Sequence, residues 1–167
     1  MYFDGELMAS NGHLSDILIK VKSAVTANTT LDDALVFKRE ELTSDELDVS
    51  KINVFIYQDS ERPHAVPMVS DFRVYRVRVV LAFGNDGRSL AYTADDTVLE
   101  YKSLYSDALL TAIKTTNAGQ TYAISSVYLV ENVSTELDFG KQGQADINGT
   151  ARIYRISQLW DFYTYEA

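Results

Sequence analysis

Residues 71–83, DFRVYRVRVVLAF, decide how the rest of this 167-residue chain is read. With period two, Tyr75, Val77, Val79, Leu81 and Phe83 share one face, while Phe72, Val74, Arg76, Arg78, Val80 and Ala82 share the other. A continuously apolar face opposite a mixed one is the pattern of a half-buried strand. At roughly 3.4 Å per residue the stretch reaches about 44 Å. A compact domain of this length is roughly 40 Å across. The strand must therefore cross the whole domain, and the other elements must pair with it or pack on it.

Upstream, Lys51–Gln58 (KINVFIYQ) is β-branched and aromatic on both faces, which predicts a central strand. Both prolines fall in Asp59–Ser70, so a loop of about a dozen residues is expected there. The two strands then form an antiparallel hairpin. Gly84-Asn-Asp-Gly87 closes the long strand as a turn.

Downstream, Thr97-Val-Leu-Glu100 has capping-box spacing, preceded by Asp95 and Asp96. Tyr101, Leu104, Tyr105, Ala108, Leu109, Ala112 and Ile113 give the stripe of a helix that Asn117 or Gly119 ends. Tyr122–Ser134 alternates as a strand, and Asp138–Thr150 is glycine-rich, a loop or hairpin tip. Ala151–Tyr165 reads as a last strand that, if straight, would reach about 50 Å. It is expected to bend, break or reach beyond the domain.

At the other end, Leu14, Ile17, Leu18, Val21 and Val25 are spaced for a helix over 12–27, ended by Asn28. Residues 29–51 hold a short strand at Leu35–Glu40 and a candidate helical turn at Thr43–Glu46. Seven acidic residues lie between Asp32 and Asp48. The order α-β-β-β-α-β-β predicts one α+β domain over 1–167. Two helices cover a single antiparallel or mixed sheet of four to five strands, with long β-hairpin arms.

Composition narrows the function. Twenty-four acidic against fifteen basic residues give a formal net charge of −9, which argues against bulk binding to nucleic acid. There is no cysteine, so disulfides, thiolate nucleophiles and cysteine metal sites are excluded. The N-terminal residues lack a basic region and an apolar core, so no secretory signal is expected. No apolar run approaches the ~20 residues of a membrane helix.

His13 and His64 stand apart, in no ligand pattern, and no P-loop, dinucleotide fingerprint, EF-hand or nucleophile elbow occurs. No catalytic, cofactor-binding or metal residue is assigned, and no enzyme activity is expected. The carboxylate pairs Asp32/Asp33, Glu40/Glu41, Asp45/Glu46 and Asp95/Asp96 could hold Mg²⁺ or Ca²⁺ if other ligands converged on them.

Arg76 and Arg78 project from one face of the organising strand. Either that face is solvated and salt-bridged, or the arginines meet acidic residues of another subunit. The acidic 32–48 segment is the candidate partner within the chain. The aromatic end, Trp160, Phe162, Tyr163 and Tyr165, either closes the core or docks on a neighbour. A small ligand-binding module with a pocket lined by Tyr and Phe is a separate reading. An Mg²⁺-dependent hydrolase using the aspartate pairs is another.

The layout as a whole resembles the tail terminator (tail-completion, neck) proteins of long-tailed bacteriophages. An amphipathic helix precedes a short apolar strand, a long strand rich in Arg and Val, and a helix of the type EYKSLYSDALLTAI. An extended hairpin with a glycine-rich tip closes the chain. The likeness is one of order and pattern over residues 12–165, and the acidic 29–51 segment departs from it. It implies a virion protein, assembled in the host cytoplasm, that forms a hexameric ring. That ring would meet the tail tube protein on one side and a neck or head-completion protein on the other. DNA would pass through its lumen without specific binding, and no membrane or cofactor is implied. Arg76, Arg78, Trp160, Phe162, Tyr163 and Tyr165 are the expected interface residues.

Overall fold

The computed structural model describes residues 12–40, 47–48, 51–63, 72–84, 94–115, 127–138 and 153–165. Its strands are β1 (Leu35–Phe37), β2 (Asn53–Pro63), β3 (Phe72–Gly84), β4 (Val127–Asp138) and β5 (Ile153–Tyr165). Its helices are α1 (Gly12–Ala27) and α2 (Ala94–Thr115), with a 3₁₀ turn at Thr29–Leu31. The strands form one five-stranded sheet in the order β1-β2-β3-β5-β4. β1 runs parallel to β2, and every other pairing is antiparallel. The fold is α+β, with a mixed sheet and two helices.

Helix α1 has the predicted bounds. Its stripe buries Ile17, Val21 and Val25 completely, with Leu14 and Leu18 packed alongside. Each such burial contributes about 1.5–3 kcal/mol. Asn28 ends the helix in an extended conformation, φ −74° and ψ 127°, not a left-handed one. Its Oδ1 accepts from the Thr30 backbone N–H at 2.9 Å and so starts the 3₁₀ turn. Its Nδ2 donates to the Ala108 carbonyl at 3.4 Å, tying the end of α1 to α2. Helix α2 begins at Ala94, earlier than the capping box at Thr97 predicts. Asp95 and Asp96 thus fall in its first turn, where carboxylates complement the helix dipole.

Two strand expectations need correction. β2 does not stop at Gln58; it continues through Pro63. The register shifts between Gln58 and Ser60, making Asp59 the extra residue of a β-bulge. Pro63 is the last residue of the strand, and β1 pairs only with Asn53–Phe55, so the proline sits on an edge that β1 does not reach. β5, in turn, does not break. It pairs with β3 at every position from Phe72↔Tyr165 to Gly84↔Ile153. Two strands of equal length satisfy each other across the domain, which removes the need to bend or reach outward.

Both helices lie on one sheet face. There Val54, Ile56, Tyr75, Val77, Val79, Leu81, Ile156, Trp160 and Phe162 pack against Ile17, Val21, Tyr105, Leu109 and Ile113. A smaller cluster, Leu47, Phe55, Val80, Ala82 and Ile153, lies on the opposite face with Phe37 stacked on Phe55 at 5.4 Å. Leu47 belongs to the acidic segment, and Asn53 Nδ2 donates to the carbonyls of Asp48 and Lys51. That end of the segment is therefore folded onto the sheet. Within it, β1 ends at Phe37, before the expected Glu40. The turn predicted at Thr43–Glu46 lies outside the described residues. So do the expected arm tips, 64–71 and 139–150. The described parts of the long strands are paired within the sheet.

Candidate assembly surface

The face of the sheet opposite the helices carries Val74, Arg76, Arg78, Val80 and Ala82 from β3. Register places Leu159, Asp161 and Tyr163 of β5 beside them, then Leu129, Glu131 and Ser134 of β4. Among the described residues no helix packs on this face.

Arg76 stands directly opposite Asp161. Its Nε donates to Oδ1 at 2.8 Å and its Nη2 to Oδ2 at 2.9 Å, a bidentate fork. The Asp161 side chain is 3% exposed and the Arg76 side chain 30%. The carboxylate is therefore buried beneath a guanidinium that still touches solvent. The hydrogen bonds to Asp161 raise the Arg76 pKa further, outweighing the opposing effect of burial. This cation is permanent at any working pH.

Arg78 bridges three strands. Its Nε donates to Asp59 Oδ1 at 3.1 Å, and its Nη1 to Ser157 Oγ at 2.7 Å. The bulge supplies the reason that Asp59 can reach it. An extra residue re-aims the side chain at that point of β2. Tyr163, half-buried, donates from its hydroxyl to Glu131 Oε2 at 3.4 Å.

Both arginines are thus salt-bridged within the chain, Arg76 to Asp161 and Arg78 to Asp59. Among the described residues of the 32–48 segment none pairs with them, and Glu41, Asp45 and Glu46 lie outside the described residues. Asp161 is hidden in the sequence by the aromatic run in which it sits, Trp160-Asp-Phe162. Period-two reading of that run separates it from its neighbours and puts it on the face of the arginines.

Trp160 and Phe162 need a correction. Both are fully buried in this chain's own core, on the helix side, and cannot meet a neighbouring subunit. Core closure wins because their parity matches Ile156, not Asp161. Tyr163 does lie on the face of Arg76 and Arg78, half-buried. Tyr165 pairs its backbone with Phe72, and its side chain lies outside the described residues. Trp160 Nε1 donates to Gln158 Oε1 at 3.0 Å, and Gln158 Nε2 donates to the Ser106 carbonyl at 3.2 Å. Gln158 is completely buried, so this amide joins β5 to α2 inside the core.

Three of the described aromatic side chains pack on one another. Phe83 meets Tyr105 edge-on at 5.1 Å and Tyr154 at 5.5 Å. Among the described residues no group of three His, Asp or Glu side chains is placed to hold a metal ion. The side chains of His13, His64, Asp95 and Asp96 lie outside the described residues. Among those residues no helix is long and apolar enough to cross a membrane. The sequence matches no protein-family model and no curated protein.

Proposed function

We propose that this chain is a structural virion protein, a tail terminator that forms a ring at the head-proximal end of a phage tail tube and joins it to the neck. It acts by assembly and not by catalysis. The observation that carries this reading is the sheet face on which no described helix packs, where Arg76 and Arg78 are held by Asp161, Asp59 and Ser157. A cross-strand ion-pair network fixes long side chains in one rotamer. Docking onto such a surface loses less side-chain entropy than docking onto free arginines. Arg76 and Arg78, 30% and 26% exposed, present a rigid polar contact point for a neighbouring subunit, with Tyr163 beside them. The net charge of −9 suits a ring that DNA traverses without adhering.

Adding the purified protein to growing tail tubes and imaging them by negative-stain electron microscopy tests the reading. A ring of density at one tube end, with elongation halted, is expected. Incorporation along the tube would make the chain a tube component instead, and tubes that grow with bare ends would overturn the proposal.

A further inference from the structure

We propose that the outer edge of β4 docks a cationic, apolar-tipped segment of another protein. This inference does not depend on the ring. β4 is the last strand of the sheet, and its sequence, VYLVENVSTELD, holds three acidic residues and no basic one. Among the described residues four large hydrophobic side chains are exposed, and two of them, Leu129 at 36% and Val133 at 43%, share this strand. Glu131 and Glu136 are exposed between and beyond them. Neither carboxylate is ion-paired to a described residue.

The projection of Val133 is built. Register shifts between Asn132 and Ser134, so Val133 is an extra residue without a partner on β5. The Asn132 side chain holds that bulge from within. Its Nδ2 donates to the carbonyls of Ser134 and Leu159, both at 3.1 Å, and its Oδ1 accepts from Thr135 Oγ1 at 3.2 Å. A second shift lies between Val127 and Leu129. Two bulges so close together prevent a long, regular strand from adding to this edge. Recognition must then use side chains more than backbone.

Charge selects the occupant. A second copy meeting this edge antiparallel, centred on Val133 and Ser134, would set Glu131 against Glu136. Like charges placed opposite each other are destabilising. Lysine or arginine alternating with apolar residues fits both the carboxylates and the exposed Leu129 and Val133.

The probe is a fluorescein-labelled twelve-residue peptide alternating lysine and valine, followed by anisotropy at low and moderate salt. Glu131→Lys with Glu136→Lys is compared with Asp32→Lys plus Asp33→Lys, an equal charge change at exposed positions beyond β4. The β4 pair is expected to weaken binding about tenfold and the control pair less than about twofold. Val133→Ser should weaken it as well, with its circular dichroism unchanged. Equal losses in both double variants would reduce the effect to bulk charge and overturn the proposal, as would no binding by the natural chain. A changed molecular mass in the β4 double variant would make the occupant a second copy and overturn it too.

Discussion

Replacing Arg76 by Met removes the cation from the Asp161 carboxylate while keeping most of the side-chain volume. Breaking a buried pair by deleting one partner costs about 3–5 kcal/mol, and an exposed pair is worth about 0–1 kcal/mol. Here the carboxylate is buried and the guanidinium is 30% exposed, so water can partly replace it. The expected loss is therefore about 2–3 kcal/mol, or about 5–10 °C in Tm for a chain of this length. The reverse deletion, Asp161→Asn, leaves an arginine that can turn to solvent, and about 1–2 kcal/mol is expected. Once Asp161 is Asn, Arg76→Met should cost less than about 1 kcal/mol. Urea unfolding followed by the fluorescence of Trp160, the chain's single and fully buried tryptophan, reads the natural chain and all three variants. The same loss for Arg76→Met in both backgrounds would refute the pairing argument. This coupling also bears on the interface. Reversing both arginines would press a carboxylate against buried Asp161 and unfold the monomer. Arg78→Glu alone is the cleaner probe, because its partner Asp59 is itself 30% exposed.

Further outcomes follow from the same geometry. Gln158→Ala should cost about 2–4 kcal/mol, because it opens a cavity and leaves the Trp160 indole N–H without its acceptor. Ser106→Ala should cost under about 1 kcal/mol, since Gln158 keeps the Ser106 carbonyl; thermal denaturation separates the two. Arg78→Ala should lower stability by about 1 kcal/mol or less, with the Asp59 part fading as salt is raised. Between neutral pH and pH 10, the stabilisation due to the Arg76 charge should stay constant. Its folded pKa is raised, so that contribution is complete below the ordinary arginine pKa and is lost only as pH rises through the folded value. Comparing the natural chain with Arg76→Met across that range checks it.

The parts of this fold that were legible in the sequence are those set by local periodicity. Helix α1 follows from the spacing of Ile17, Val21 and Val25, and the organising strand from residues 75–83. Order and connectivity then gave two helices on one sheet. What the sequence hid depends on pairing between distant residues. The bulge at Asp59 has no local signature, so the sequence predicts a loop from Asp59 where β2 continues to Pro63. That β5 lies between β3 and β4 is a non-local fact, and without it the strand reads as too long for the domain. The candidate surface was half legible. Arg76 and Arg78 stood out as charges interrupting an apolar strand. Their partners did not, since one is a bulge residue and the other sits between two core aromatics. Trp160 and Phe162 show the reverse error, where aromatic residue type was weighed above parity.

Absolute mass by light scattering, repeated over a wide range of concentrations, tests the central claim of assembly most directly. The account predicts a closed species at about six times the 18.7 kDa chain mass, dispersed by Arg78→Glu without loss of fold. A species of one chain mass at every concentration, with and without added tail tube protein, would contradict it.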